Sequence, residues 1–103
     1  MKIRITENTL RIRLSDSDLN QLVSHTPLSV SLPFGVSEFR ITLTTSDNTQ
    51  TTLVNEEITE ITVAIATETL IPWINSKENT LSTTIAHPNN RTLNVFVEKD
   101  YLG

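Results

Sequence analysis

The sequence predicts a β-rich α+β domain: a small closed or partly closed β-barrel of about eight strands with two short helices. Three observations predict it. Short runs alternate apolar and polar residues with the period of two that half-buried strands need, as in "KIRIT" from Lys2 and "LRIRL" from Leu10. Threonine, a β-branched residue suited to pleated surfaces, fills 17 of the 103 positions. The apolar pattern also recurs at an offset of 51 residues, so that Leu10, Ile12 and Leu14 fall on Ile61, Val63 and Ile65.

The elements follow in order. Lys2 to Thr6 and Leu10 to Leu14 form a hairpin when Thr6 pairs with Thr9 across a Glu7-Asn8 turn, because that register sets Ile5 opposite Leu10 and Ile3 opposite Ile12. A loop of odd length would scramble the faces. Next, "SDSDL" supplies Ser15 or Ser17 as an N-cap and acids for the first turn of a helix, and Leu19, Leu22 and Val23 give that helix its apolar stripe. It ends near His25, before Pro27. Leu28, Val30, Leu32 and Phe34 alternate, as do Phe39, Ile41 and Leu43 after Gly35, which predicts two more strands. "TSDNTQT", Thr45 to Thr51, is the most loop-like stretch and lies near the midpoint.

Beyond the midpoint the offset continues through Leu70, Trp73 and Ile74, which match Leu19, Leu22 and Val23, and through Leu81 and Ile85, which match Val30 and Phe34. Leu28 and Leu32, by contrast, fall on Asn79 and Thr83. Pro72 lacks the N–H of an interior helical residue, so the second helix is expected to start at a Thr69 N-cap and to be very short. "TLNVFVE" is the last strand, with Leu93, Val95 and Val97 facing inward. Each half then reads strand, strand, helix, strand, strand within one domain spanning 1–103, the halves being roughly 1–46 and 52–99.

Composition excludes several functions. With no cysteine there is no disulfide framework, thiolate metal site or cysteine nucleophile. The N-terminus lacks the apolar run of a signal peptide and no segment suits a membrane span, so a cytoplasmic protein without membrane contact is expected. Glycine is confined to Gly35 and Gly103, too few for a phosphate-wrapping loop. A net charge of −4 argues against broad nucleic-acid binding, though a local patch is compatible with it.

The residues that remain point to binding rather than catalysis. In the hairpin register, Arg4 lies opposite Arg11 and Lys2 opposite Arg13, so four cations share one face. Like charges directly opposed in a sheet are destabilising. Either acids of the last strand, Glu98 or Asp100, offset them, or an anionic partner does. The same alternation turns Phe96 outward; with Tyr101 it is a candidate interaction aromatic. "DSDLN" opens like a calcium loop, but Gln21 and Pro27 occupy the positions of its glycine and glutamate. His25 and His87 have no neighbouring histidine or acid within four residues, and no serine sits in a nucleophile signature, so no catalytic residue, metal or cofactor is expected. Trp73 belongs to the helical stripe and is read as core.

The segment "MKIRITENTLRIRLSDSDLNQL" resembles the strand–turn–strand–helix unit of AbrB-like and MazE-type swapped-hairpin regulators and antitoxins. That resemblance implies a barrel closed by dimerisation and DNA binding through basic residues. Glu7 replaces the glycine and Ser15 the proline that the pattern prefers. The whole chain resembles an uncharacterised family of small bacterial proteins with "MKIRI", "FG" at Phe34-Gly35 and "VEKD" from Val97 to Asp100, although the cysteine expected after that motif is absent. The expectation is therefore a monomeric or homodimeric non-catalytic binding module for a protein partner or anionic ligand. The alternatives are a DNA-binding regulator and a small enzyme.

Overall fold

The computed structural model describes residues 1–47, 50–55, 58–87 and 89–100, with backbone alone at 34, 50–55, 58, 85 and 87. The chain runs β1 (Lys2–Thr6), β2 (Thr9–Leu14), α1 (Asp16–Val23), β3 (Leu28–Phe34), β4 (Ser37–Ser46), β5 (Gln50–Asn55), β6 (Ile58–Ala66), α2 (Thr67–Ile74), β7 (Thr80–His87) and β8 (Arg91–Lys99). Both halves therefore have the order ββαββ. The strands form two four-stranded sheets, β1-β2-β8-β7 and β3-β4-β6-β5. The barrel expectation is corrected here, since no strand pairing joins the two sheets among the described residues. After β2 and after β6 the chain crosses through a helix to the other sheet instead of continuing around one, and β1, β7, β3 and β5 remain as edges.

Each sheet takes one hairpin from each half. At the centre, β2 runs parallel to β8 and β4 parallel to β6, so the pairings that join the halves lie inside the sheets. Leu10, Ile12 and Leu14 of β2, Val95 and Val97 of β8, Ile41 and Leu43 of β4, and Val63 and Ile65 of β6 form one buried cluster. Leu19, Leu22, Leu70 and Trp73 of the two helices belong to it. At roughly 1.5–3 kcal/mol for each fully buried large aliphatic side chain, this shared interior is the main stabilising term.

Ser15 is the N-cap of α1. Its hydroxyl accepts from the Asp18 N–H at 3.2 Å, while the Asp18 carboxylate accepts from the Ser15 N–H at 3.0 Å, a capping box with Asp in the usual Glu position. The helix ends in a Schellman turn: the His25 N–H donates to the Leu22 carbonyl and the Thr26 N–H to that of Gln21, with His25 at φ +61° where glycine is usual.

The second helix differs from expectation. Ala66, not Thr69, precedes its first turn, and Pro72 lies in its interior. Thr67 to Ile74 is the span of α1 moved by 51 positions, and Leu70 and Trp73 are buried as Leu19 and Leu22 are. Burial of that apolar face outweighs the one backbone bond that proline removes.

After the helices the constant offset fails. Leu28 partners Leu43, which partners Val63; in the other sheet Leu81 partners Val97, which partners Ile12. Leu81 thus corresponds to Leu28 and Val97 to Leu43, at offsets of 53 and 54, because the second half carries extra residues around the α2–β7 connection and the β7–β8 turn. The mismatch of Leu28 with Asn79 is explained by this insertion. Val30 and Leu32 are exposed, Leu32 at 62%, on the edge strand β3, although Val30 partners the buried Ile41 of β4.

Glu7 in the β1–β2 turn adopts φ +50°, the left-handed region in which a side chain is strained. The glycine preferred there by swapped-hairpin regulators has a physical reason. Glu7→Gly is expected to raise stability by about 1 kcal/mol, read as a higher urea midpoint at unchanged m-value. A lower midpoint would show that glycine's unfolded-state entropy outweighs the relief of strain.

Candidate anion-binding face

The predicted hairpin register is the one observed: Lys2 lies opposite Arg13 and Arg4 opposite Arg11, with Ile3 and Ile5 turned to the other side. All four cations are exposed on the outer face of the β1-β2-β8-β7 sheet. The last strand lies beside β2, with Arg13 partnering Glu98 and Arg11 partnering Phe96.

Two acids, Glu98 in that strand and Asp100 just past its end, lie among the cations. Glu98 meets Arg11 at 2.5 Å and Arg13 at 3.9 Å, and Asp100 meets Lys2 at 3.6 Å. Each such pair joins an exposed cation to a largely buried acid, and solvent on the cation side keeps its contribution to about 0.2–1 kcal/mol. Arg4 forms no ion pair with an acid among the described residues. Lys2, Ile3, Arg4, Arg11, Arg13 and Glu98 line a shallow groove of about 300 Å³.

Phe96 is not the free aromatic that alternation suggests. It is half-buried beneath the Arg11 guanidinium, 4.7 Å from the ring centroid. Stacking on Phe96 and bonding to Glu98 orient Arg11 from two sides. Tyr101, the other candidate aromatic, lies outside the described residues.

The outer face of the second sheet has the opposite balance. Arg40 there lies 3.3 Å from Glu60 and 3.5 Å from Glu38, and the Thr62 hydroxyl donates to Glu60 at 2.9 Å. One cation between two acids leaves that cluster negative, whereas four cations and two acids leave the first face positive. Position relative to the sheet, not total charge, separates them.

His25 is exposed at the end of α1, and its Nδ1 is hydrogen-bonded with the Thr45 hydroxyl at 3.0 Å. No acid pairs with it among the described residues. His87 ends β7, and only its backbone is described. Among the described residues no three of His, Cys, Asp or Glu cluster as metal ligands would.

Two buried polar groups were not singled out by the sequence reading. The Met1 α-ammonium meets Asp18 at 2.8 Å, with both groups largely buried. Lys99 is only 7% exposed; its ammonium donates to the Trp73 carbonyl at 2.6 Å and the Ser76 carbonyl at 2.9 Å, above the Trp73 ring. It thereby caps the carbonyl end of α2, where a cation is favoured. A signal for it existed, since Val95, Val97 and Lys99 continue one inward alternation. Trp73 is core, as expected, although its Nε1 has no acceptor among the described residues.

Burial raises the Asp18 carboxyl pKa, but the Met1 ammonium and the Ser15 N–H outweigh it, so the net pKa is below the ordinary 3.8. A depressed folded pKa gives stability that is present above the unfolded value and lost as pH falls through the folded one. Asp18→Asn is therefore expected to cost about 1–2 kcal/mol at neutral pH. The difference from the parent protein should narrow as pH falls below 3.8 and close only once pH has passed the lowered folded value. Thermal melts at pH 7 and pH 3 check this; an equal gap at both would deny the carboxylate its role.

No helix among the described residues is long and apolar enough to cross a membrane. Comparison with known proteins gives no match among curated proteins and none among solved structures. A family match does span the chain, over residues 1–102. The protein therefore belongs to the family of unknown function DUF7009.

Proposed function

We propose that this protein is a non-catalytic binding module whose basic sheet face takes an acidic segment of a partner protein. The observation that carries this reading is the charge imbalance around Arg4: four cations and one acid, Glu98, line the groove, Asp100 lies beside it at Lys2, and Arg4 is left without an acid among the described residues. Phe96 and Glu98 fix Arg11 in advance, which lowers the entropy lost when it binds. The flat outer surface of a sheet, without a glycine-rich loop or a deep cleft, suits a macromolecular segment better than a small substrate.

We further read the two halves as copies of one unit, brought together in one chain as regulators of the swapped-hairpin kind bring two chains together. The identical helix spans at an offset of 51 support this. So does the agreement of Leu28–Leu43–Val63 with Leu81–Val97–Ile12.

Fluorescence anisotropy of a labelled oligoglutamate at low salt tests the binding reading. Arg4→Glu should weaken binding about tenfold, because one attraction is lost and one repulsion added, each up to about 1 kcal/mol. No binding by the parent protein, or an unchanged affinity in the variant, would overturn it. So would a duplex DNA that displaces the peptide at lower concentration.

A further inference from the structure

The open edge beside the basic face is not uniform. In an antiparallel hairpin with a two-residue turn, the pair flanking the turn is hydrogen-bonded and bonded pairs alternate. Thr6–Thr9, Arg4–Arg11 and Lys2–Arg13 are then the bonded pairs, and the backbone N–H and C=O of Ile3 and Ile5 point away from β2. β1 is an edge strand, so those groups pair with no other strand among the described residues.

The side chains at that edge have two characters. On the core side Ile5 is 59% exposed, although Leu10 opposite it is buried, so an apolar ledge extends past the core. On the outer side Lys2 and Arg4 project, both exposed. A strand laid antiparallel along β1 would meet the two isoleucines with one set of alternate side chains and the two cations with the other.

Self-association fits this edge poorly. A second copy's β1 would set cations against cations. Its other edges, "LSVSLPF" in β3, "QTTLVN" in β5 and "TLSTTIAH" in β7, contain no acid to answer Lys2 or Arg4. Charge complementarity thus favours a partner protein over another copy.

We propose that β1 accepts, by antiparallel strand addition, an extended partner segment that alternates acidic and aliphatic residues and becomes the fifth strand of the β1-β2-β8-β7 sheet. The proposal rests on the basic-face reading and adds a mode to it. Main-chain bonds to Ile3 and Ile5 would give affinity, and the alternating side chains would give register and selection.

The test uses the full chain and three probes: an oligoglutamate, a peptide of three Glu-Val repeats, and the same peptide N-methylated at its valines. In antiparallel addition with valine on the isoleucine side, the valine amides are the ones that bond β1. The Glu-Val peptide should bind at least about tenfold more tightly than its N-methylated form, which loses the two backbone bonds to Ile3 and Ile5. It should also slow hydrogen exchange at the Ile3 and Ile5 amides. Equal binding of both Glu-Val forms, with oligoglutamate binding retained and sensitive to Arg4→Glu, would overturn strand addition while leaving the basic-face reading intact. Failure of all three probes to bind would overturn both.

Discussion

Expressed separately, residues 1–47 and 50–103 should each be unfolded as monomers, and mixing them in equal amounts should restore the native circular dichroism and a cooperative thermal transition. Neither half owns a sheet: β1-β2 pairs with β8 and β3-β4 with β6, so each fragment alone keeps two hairpins and loses both central parallel pairings. An isolated two-stranded hairpin is at best marginal in water. The apolar faces of Leu10, Ile12 and Leu14 would have no Val95 and Val97 beside them. A chain of about 50 residues also buries a small fraction of its surface and is marginal even with a complete core. Mixing restores both pairings and the common core, and the cost is one bimolecular association in place of a short loop. A fragment 1–47 that melts cooperatively as a monomer would show that the halves are independent and that the intertwining is incidental.

Lys99→Ala should lower the melting temperature by about 10–20 °C, corresponding to about 2–4 kcal/mol in a domain of this size. Its ammonium satisfies two carbonyls at the end of α2, and truncation leaves the part-buried Ser76 carbonyl without that donor. The Trp73 carbonyl would keep the Ser76 N–H and hydroxyl, which is why the expected loss is not larger. Lys77→Ala on the exposed connection after α2 is the control and should change the melting temperature by no more than a few degrees. If both variants melt with the parent protein, the buried lysine is not what holds α2 against β8.

The corresponding place in the first half shows how one plan is served by different chemistry. At the offsets set by the strand pairing and the helices, Lys99 corresponds to Thr45 and Ser76 to His25, and it is Thr45 that bonds His25. A β-strand end meets the residue after a helix in both halves. In one the link is an ammonium on carbonyls, in the other a hydroxyl on an imidazole. Apolar positions are matched more closely than these polar ones, because a core constrains volume and face while a cap needs only some donor of suitable reach.

By itself the sequence determined the β-rich α+β class, the first hairpin with its register, the ββαββ order of the halves and the sharing of one face by Lys2, Arg4, Arg11 and Arg13. These follow from periodicity and turn length, which act over a few residues. Only the tertiary structure decided that the strands make two sheets instead of one closed wall, that β8 lies parallel to β2, that Arg11 covers Phe96, and that Met1 and Lys99 are buried anchors. Those outcomes depend on which strands become neighbours across nearly the whole chain. Alternation tells a strand which face to bury but carries no information about the strand it will lie beside.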